Sequence, residues 1–356
     1  MDPYRALAER LDALPNGFPA TESGVELRLL AKLFAAQEAA LAAAMSDVFE
    51  HVTEIAGRAG VSAETAAEIL ESMVHKGLIM ARRARGESLY ALMPFVVGFY
   101  EMQLPRMDAE LAALVEQYFQ ESGGRFVAAG PAVHRVIPVG EAIPAEVEVL
   151  PYERATALIE GARSWAVRDC ICRLQQRLVG KGCDRPLESC LVFAPLSGAF
   201  DGSEVDRVLT KEEALQILFE AEAAGLVHTV GNYRRGTFYI CNCCTCCCGV
   251  LRRVAEFDEP AAIARAAFHA VVDVERCLGC GECLARCPFG ALSLAEDVVA
   301  VDRRRCVGCG QCTLACTAKA LRLERRPASE VEAPPADPRA WSQERAARRR
   351  LLGTEG

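Results

Sequence analysis

Two stretches with the same cysteine spacing decide how the carboxy-terminal part of this chain folds. They are CLGCGECLARCPFG at residues 277–290 and CVGCGQCTLACTAK at residues 306–319. Each stretch has the pattern C-x2-C-x2-C-x3-C, which lets one tight loop place several thiolates around an inorganic core. Gly279 and Gly308 lie between the cysteines, where glycine permits positive φ values and close approach of the backbone. The eight cysteines are Cys277, Cys280, Cys283, Cys287, Cys306, Cys309, Cys312 and Cys316.

This repeated spacing favours iron–sulfur clusters over zinc. Zinc sites made of four cysteines also use C-x2-C spacing, so a pair of zinc knuckles is the alternative. Three cysteines at C-x2-C-x2-C spacing, with a fourth after three more residues, are typical of cubane ligation. This chain has that pattern twice. The sequence therefore predicts two [4Fe-4S] clusters in this part of the chain.

Residues 270–325 resemble the two-cluster bacterial-type ferredoxins, through the eight cysteines and the pair Cys287-Pro288. In that family the fourth cysteine of each run binds the other cluster. The resemblance implies that one cluster is held by Cys277, Cys280, Cys283 and Cys316, and the other by Cys306, Cys309, Cys312 and Cys287. Thr317 stands where the family usually has proline, so we expect altered amide hydrogen bonding near Cys316 and a shifted reduction potential.

Composition indicates a soluble α+β multidomain protein. The chain has 356 residues, 51% hydrophobic content and a net charge of −8, enough for two or three domains. Residues 1–10 lack the apolar segment of a secretory signal, and the apolar run at 89–100 is too short to span a bilayer, so no membrane insertion is expected. Eighteen cysteines without an export signal predict a cytoplasmic protein whose thiolates bind metals.

After a lead-in at residues 1–24, residues 25–100 resemble a winged-helix domain. The expected order is a helix at 52–59, a turn at Gly60, a second helix at 63–76 capped by Ser62, and a hairpin formed by strands 78–84 and 88–92. The resemblance implies a DNA-binding or docking module.

The charges on this segment favour docking over DNA binding. In the DNA-binding interpretation, helix 63–76 enters a groove while the wing grips phosphate through Arg82, Arg83 and Arg85. The same helix carries Glu64, Glu68 and Glu71, which would repel a polyanion. The acidic net charge likewise offers no general attraction to nucleic acid.

Three further segments are predicted from local pattern. Residues 101–152 are interpreted as an amphipathic helix at 106–120 followed by an extended linker at 125–152. His134, in that linker, is expected to be a hydrogen-bonded structural residue. Residues 326–356 are rich in proline and predict a disordered tail, within which residues 340–352 can form a short basic helix.

A cysteine-rich α+β domain is predicted at residues 153–262. Its ten cysteines far exceed ordinary usage and predict metal binding. They are Cys170, Cys172, Cys183, Cys190, Cys241, Cys243, Cys244, Cys246, Cys247 and Cys248. If residues 241–248 were helical, Cys241, Cys244 and Cys248 would share one face, and the other three thiols of that run would share the opposite face.

The spacing leaves the occupant of the middle domain open. A third [4Fe-4S] cluster is the first choice, a structural zinc site is the alternative, and two to four of the ten thiols are expected to be simple buried residues. The stretch resembles cysteine-rich segments beside ferredoxin domains in anaerobic oxidoreductase systems. That resemblance implies a redox role.

The sequence contains no catalytic triad, phosphate loop or dinucleotide fingerprint. The favoured prediction is an electron-transfer protein, or a subunit of an oxidoreductase, that works with redox partner proteins. The alternatives are a redox- or cluster-sensing transcription regulator and a redox enzyme with its substrate at the middle centre.

Overall fold

The computed structural model describes residues 2–84, 86–123, 130–143 and 148–353. Arg85, predicted to lie in the wing, and residues 124–129 and 144–147 of the predicted linker lie outside the described residues. Two compact units are formed, one by residues 1–127, 175–180 and 345–356 and the other by residues 128–174 and 181–344. No helix among the described residues is both long and apolar enough to cross a membrane.

The first unit is mainly helical. Its helices are α1 (Pro3–Asp12), α2 (Val25–Leu33), α3 (Ala36–Ala43), α4 (Val52–Ala59), α5 (Ala63–His75) and α6 (Ala109–Ser122). Strands β1 (Glu50–His51), β2 (Ile79–Ala84) and β3 (Glu87–Leu92) form an antiparallel sheet in the order β1-β3-β2. Aromatic rings fill its core, with Phe18 and Tyr118 at 4.8 Å and Phe95 and Phe99 at 5.4 Å between ring centroids.

The predicted pair of helices followed by a hairpin lies in this unit. Helix α4 ends at Gly60, which has the left-handed φ of 69°. The Ser62 hydroxyl accepts a hydrogen bond from the Thr65 amide at 3.1 Å and caps α5, as the sequence predicts. Helix α5 buries Ile69, Leu70 and Met73, and its opposite face carries the acidic side chains.

A buried carboxylate connects α3 to α5. Glu38 accepts hydrogen bonds from the Ser72 hydroxyl at 2.8 Å, from the Lys76 ammonium at 2.7 Å and from the Ala35 amide at 2.8 Å. Burial alone would raise the pKa of Glu38, but the hydrogen bonds from Lys76, Ala35 and Ser72 outweigh burial and lower the pKa below its ordinary value. The charged form of Glu38 is therefore part of the folded state.

The second unit contains a six-stranded antiparallel sheet in the order β4-β8-β9-β6-β5-β7. Its strands are β4 (His134–Ile137), β5 (Ser164–Asp169), β6 (Glu188–Ala194), β7 (Arg207–Leu209), β8 (Val227–Gly231) and β9 (Tyr239–Cys243). The accompanying helices are α7 (Ala155–Glu160), α8 (Ile171–Leu178), α9 (Lys211–Ala223) and α10 (Gly249–Glu256). Only the first four residues of α8 belong to this unit.

The predicted extended linker at 125–152 is extended at its described centre, where residues 134–137 pair with β8 as the edge strand β4. His134 lies opposite Gly231 in this pairing. His134 is buried, and neither ring nitrogen has a hydrogen-bond partner among the described residues. Its ring instead lies 5.7 Å from that of Tyr239, and burial lowers its pKa to about 4.

The carboxy-terminal part of the second unit consists of short elements around the cysteine loops. They are β10 (Phe268–Val272), α11 (Glu282–Arg286), β11 (Leu292–Ala295), β12 (Val298–Val301), α12 (Gln311–Leu314) and β13 (Leu321–Arg325). Strand β10 pairs with β13, and β11 pairs with β12, both antiparallel.

The short basic helix predicted at 340–352 is found as α13 (Pro338–Gly353), and its long-range hydrogen bonds correct the prediction that the tail at 326–356 is disordered. Within the second unit, the Trp341 indole donates a hydrogen bond to the Ala132 carbonyl at 2.9 Å. Within the first unit, buried Arg345 donates to the Pro15 carbonyl at 2.9 Å, and Arg349 donates to the Asp12 carbonyl at 2.6 Å. Composition suggested disorder because it counts apolar residues and misses these long-range hydrogen bonds.

We expect Glu38→Ala to lower the free energy of unfolding of the first unit by about 2 kcal/mol at neutral pH, because charged hydrogen bonds are lost. The folded-state pKa is depressed, so the stabilisation is complete above the unfolded carboxyl pKa and is lost as pH falls through the folded pKa. Urea unfolding measured between neutral and acidic pH checks both points.

Glu68→Ala, on the exposed face of α5, is the matched control. It should change stability by less than about 0.5 kcal/mol. Equal effects of the two substitutions at neutral pH would contradict the role assigned to Glu38.

Candidate metal centres

The eight carboxy-terminal cysteines line two separate cavities. The buried cavity is lined by Cys306, Cys309 and Cys312 of one loop together with Cys287 of the other. The exposed cavity is lined by Cys277, Cys280 and Cys283 together with Cys316. Each cavity thus combines three thiols from one loop with the fourth from the other, the same grouping that the ferredoxin resemblance implies.

The two cavities suit a thiolate-bound group. Four thiols line each of them, and apolar side chains such as Leu323 and Val299 provide the remaining lining. Burial raises the pKa of Cys309 to about 12, so a thiolate forms there only when a cation compensates its charge. This donor set fits [4Fe-4S] clusters.

The two cavities differ in exposure. Cys306, Cys309 and Cys312 are all buried. In the exposed cavity Cys280 is open to solvent, and the neighbouring Leu278 side chain is 76% exposed. The thiols of the first cavity are therefore more buried than those of the second, and both cavities open to solvent.

In both loops, a backbone amide donates a hydrogen bond to the sulfur of the fourth cysteine. The Ala291 amide donates to Cys287 Sγ at 3.3 Å, and the Ala320 amide donates to Cys316 Sγ at 3.2 Å. The expected change in hydrogen bonding caused by Thr317 is thus absent at this contact, because the donor lies four residues after the cysteine in both loops.

Two glycines allow the loops to pass close to neighbouring backbone. Gly308 has φ of 78°, and a Cβ at this position would collide with the Phe268 carbonyl. Gly279 has φ of 65°, and a Cβ there would collide with the Asp297 carbonyl. Any larger residue at either position would displace the cysteine loop.

The buried cavity lies against the cysteine-rich part of the same unit. The Gln311 side chain donates to the Leu226 carbonyl at 2.7 Å. Arg286 donates to the carbonyls of Glu222 and Ala223, at the end of α9, at 2.7 and 2.8 Å. The Val139 amide donates to the Cys309 carbonyl at 3.0 Å, so the loop that carries the buried thiols is held by hydrogen bonds.

The ten middle cysteines do not follow the helical pattern considered for residues 241–248. Cys241 and Cys243 lie in strand β9, where residues two apart share a face, and residues 245–247 form a turn. The structure gathers the cysteines into two groups. The four-thiol group is Cys183, Cys244, Cys246 and Cys247, and the six-thiol group is Cys170, Cys172, Cys190, Cys241, Cys243 and Cys248.

In the four-thiol group, all sulfur atoms lie within 4.8 Å of one another. Cys183 Sγ is 4.0 Å from that of Cys244 and 3.8 Å from that of Cys247, and Cys246 Sγ is 3.8 Å from that of Cys247. Arg185 donates to Cys246 Sγ at 3.6 Å. This arrangement offers four convergent ligand atoms.

The six-thiol group is a series of contacts between neighbouring thiols. Cys190 and Cys241 are opposite each other on β6 and β9, with sulfur atoms 3.8 Å apart. The series continues from Cys241 through Cys243, Cys248 and Cys172 to Cys170. Hydrogen bonds from Cys241 and Cys248 lower the pKa of Cys243 to about 6. Every middle cysteine thus contacts another cysteine.

Arg173 is a buried cation beside both groups, and no motif or spacing in the sequence indicated its role. Its guanidinium lies 3.7 Å from Cys244 Sγ and donates to the Asn242 carbonyl at 3.0 Å. Burial lowers its pKa, but the nearby sulfur atoms of Cys170, Cys244 and Cys243 outweigh burial and raise it. A permanent positive charge there stabilises thiolates in both groups.

We expect Gly308→Ala to reduce the iron content of the purified protein and its urea midpoint, because the new methyl group collides with the Phe268 carbonyl. Gly281→Ala is the matched control, since Gly281 also has positive φ, 75°, but its added methyl group would meet only Leu294, at 3.6 Å, among the described residues. The control should cost about 1 kcal/mol and Gly308→Ala at least about 2 kcal/mol more. Equal losses would contradict the close-approach argument.

Comparison with known proteins bears on the carboxy-terminal segment. Residues 269–317 match the family model described as the 4Fe-4S dicluster domain. The comparison with curated proteins found no match, and the comparison with solved structures found none either. The carboxy-terminal segment is therefore a ferredoxin-type 4Fe-4S domain, and together with its cysteine clusters it makes this chain an iron–sulfur protein.

Proposed function

We propose that this iron–sulfur protein is an electron carrier, or an electron-transferring subunit of an oxidoreductase, with a [4Fe-4S] cluster in each of the two cavities. The observation that carries the proposal is the unequal burial of the thiols in the two cavities, each of which takes its fourth cysteine from the other loop. A buried site beside the cysteine-rich domain and a second site at the surface are what a relay needs. When bound, each cluster takes and gives one electron.

The surface around the exposed cavity supports a protein partner at that end. Cys280 is solvent-exposed, and Leu278 and Val274 present side chains that are 76% and 63% exposed. Apolar side chains around an exposed thiolate ligand exclude water when a partner docks. The partner class is a redox protein in the same reducing compartment, for which the cytoplasm is the proposed location.

The six-thiol group is the proposed third redox centre. It offers more thiols than one [4Fe-4S] cluster requires, and Arg173 supplies a buried positive charge beside it. Hydrogen bonds and buried charge next to cluster sulfurs are the means by which a protein sets a reduction potential. Electrons that pass through the ferredoxin-type domain would begin or end at this group.

The helix pair and hairpin of the first unit are proposed to form a winged-helix-like docking module. The exposed face of α5 carries Glu64, Glu68 and Glu71, whereas Arg82 and Arg83 lie exposed on the hairpin. Carboxylates on the helix that would enter a DNA groove repel the phosphates of the DNA backbone. Opposite charges on neighbouring elements suit a protein surface of mixed charge.

The experiment that tests the electron-carrier proposal is iron and sulfide analysis of the anaerobically purified protein, together with EPR of its reduced form. At least about eight irons per chain are expected from the two cavities, with more if the six-thiol group is filled. Fewer than about eight would overturn the two-cluster assignment. Reduced protein should also pass electrons to a soluble acceptor protein, and failure to do so would count against the carrier role.

Cys280→Ser and Cys309→Ser separate the two cavities. Each substitution removes a ligand of one cavity, so each should alter a different EPR component. Because Cys280 lies at the surface, the main effect of Cys280→Ser should be slower electron transfer to the acceptor, with a smaller effect on the stability of the protein. Identical spectra for the two variants would contradict the assignment of separate clusters.

The docking proposal predicts no specific DNA affinity. A gel shift with random-sequence DNA at physiological salt should show at most weak binding, and Arg82→Ala with Arg83→Ala should change it little. Binding that these two substitutions abolish, with a steep dependence on salt, would favour the regulator alternative.

A further inference from the structure

The sulfur geometry of the four-thiol group separates it from the iron–sulfur clusters. A tetrahedral ion with metal–sulfur bonds of about 2.3 Å holds its sulfur ligands about 3.8 Å apart. Three of the six sulfur–sulfur separations are 3.8, 3.8 and 4.0 Å and agree with that edge length, and all four sulfur atoms lie within 4.8 Å of one another. A cubane instead binds each cysteine to a different iron and holds the four sulfurs further apart.

We propose that Cys183, Cys244, Cys246 and Cys247 form a mononuclear, tetrahedral zinc site. This assignment replaces the third [4Fe-4S] cluster as the occupant of these four thiols. It is independent of the proposed electron-carrier function, because zinc carries no electrons.

The segments that supply these thiols lack regular structure. Cys183 lies in the loop between α8 and β6, and the other three lie in the turn between β9 and α10. The local apolar core is small and consists of Ala221, Leu226, Cys244 and Cys247. A metal that crosslinks two such loops replaces the core that they cannot form.

The charges around the four-thiol group suit a metal ion that is bound by four thiolates. A divalent metal with four thiolates has a net charge of about −2. Arg173 and Arg185 each donate to one of these sulfurs, at 3.7 Å and 3.6 Å.

The zinc site would stabilise the segment around Leu226, which the ferredoxin-type domain contacts. Leu226 packs in the same small core as Cys244 and Cys247, and its carbonyl receives the hydrogen bond from Gln311 at 2.7 Å. Gln311 precedes Cys312, which lines the buried cavity. The site therefore has a structural role beside an electron-transfer domain.

The test is zinc and iron analysis of the full-length protein purified anaerobically, with Cys183→Ser and Cys246→Ser compared against Cys190→Ser. We expect one zinc per chain in the unaltered protein, its loss in the first two variants, and unchanged iron content there. Cys190→Ser, in the six-thiol group, should keep its zinc. Loss of about four irons in Cys183→Ser, or a single iron in place of zinc, would overturn the proposal.

Cobalt substitution tests the site without any mutation. Cobalt(II) that replaces zinc in the unaltered protein should give the intense visible absorption of a tetrahedral four-thiolate site, in a ratio of one cobalt per chain. Weak bands typical of octahedral cobalt would overturn the geometry. Iron below about eight per chain, with zinc intact, would count against the two clusters and leave the zinc site standing.

Discussion

The exchange of one cysteine between the two loops is the constraint on which the ferredoxin-type domain depends. Cys287 lines the cavity of the second loop, and Cys316 lines that of the first. Neither cavity is complete until both loops are folded. A cluster bound in one cavity would therefore also order part of the loop that forms the other cavity. The matching amide bonds to Cys287 and Cys316 show that the two halves use the same local geometry.

Packing against the cysteine-rich domain makes these similar halves different. Val139 and Ala142 belong to the same apolar core as Phe268 and Leu323, and the Val139 amide bonds to the second loop at the Cys309 carbonyl. Gln311 adds a buried hydrogen bond on that side. Two repeats with the same cysteine spacing thus acquire different solvent exposure, and reduction potentials follow exposure as well as ligation.

Short-range features were predicted from the sequence better than long-range ones. Ser62 predicted the start of α5, and the ferredoxin resemblance predicted which thiols share a cavity, because both depend on neighbouring residues or on a known motif. The partition of the ten middle cysteines depends on the bend after Cys243, which periodicity alone does not reveal. The pairing of β4 with β8 and the hydrogen bonds of α13 were missed because their partners, Gly231 for His134 and Ala132 for Trp341, are distant in sequence.

Helix α13 has a consequence for how the chain acquires its shape during synthesis. Arg345 and Arg349 complete the first unit by donating to the carbonyls of Pro15 and Asp12, yet both arginines follow all eighteen cysteines in the sequence. On the ribosome every cysteine therefore emerges before the amino-terminal unit can finish folding. Insertion of metal can begin on a nascent chain whose earliest residues still lack their final contacts.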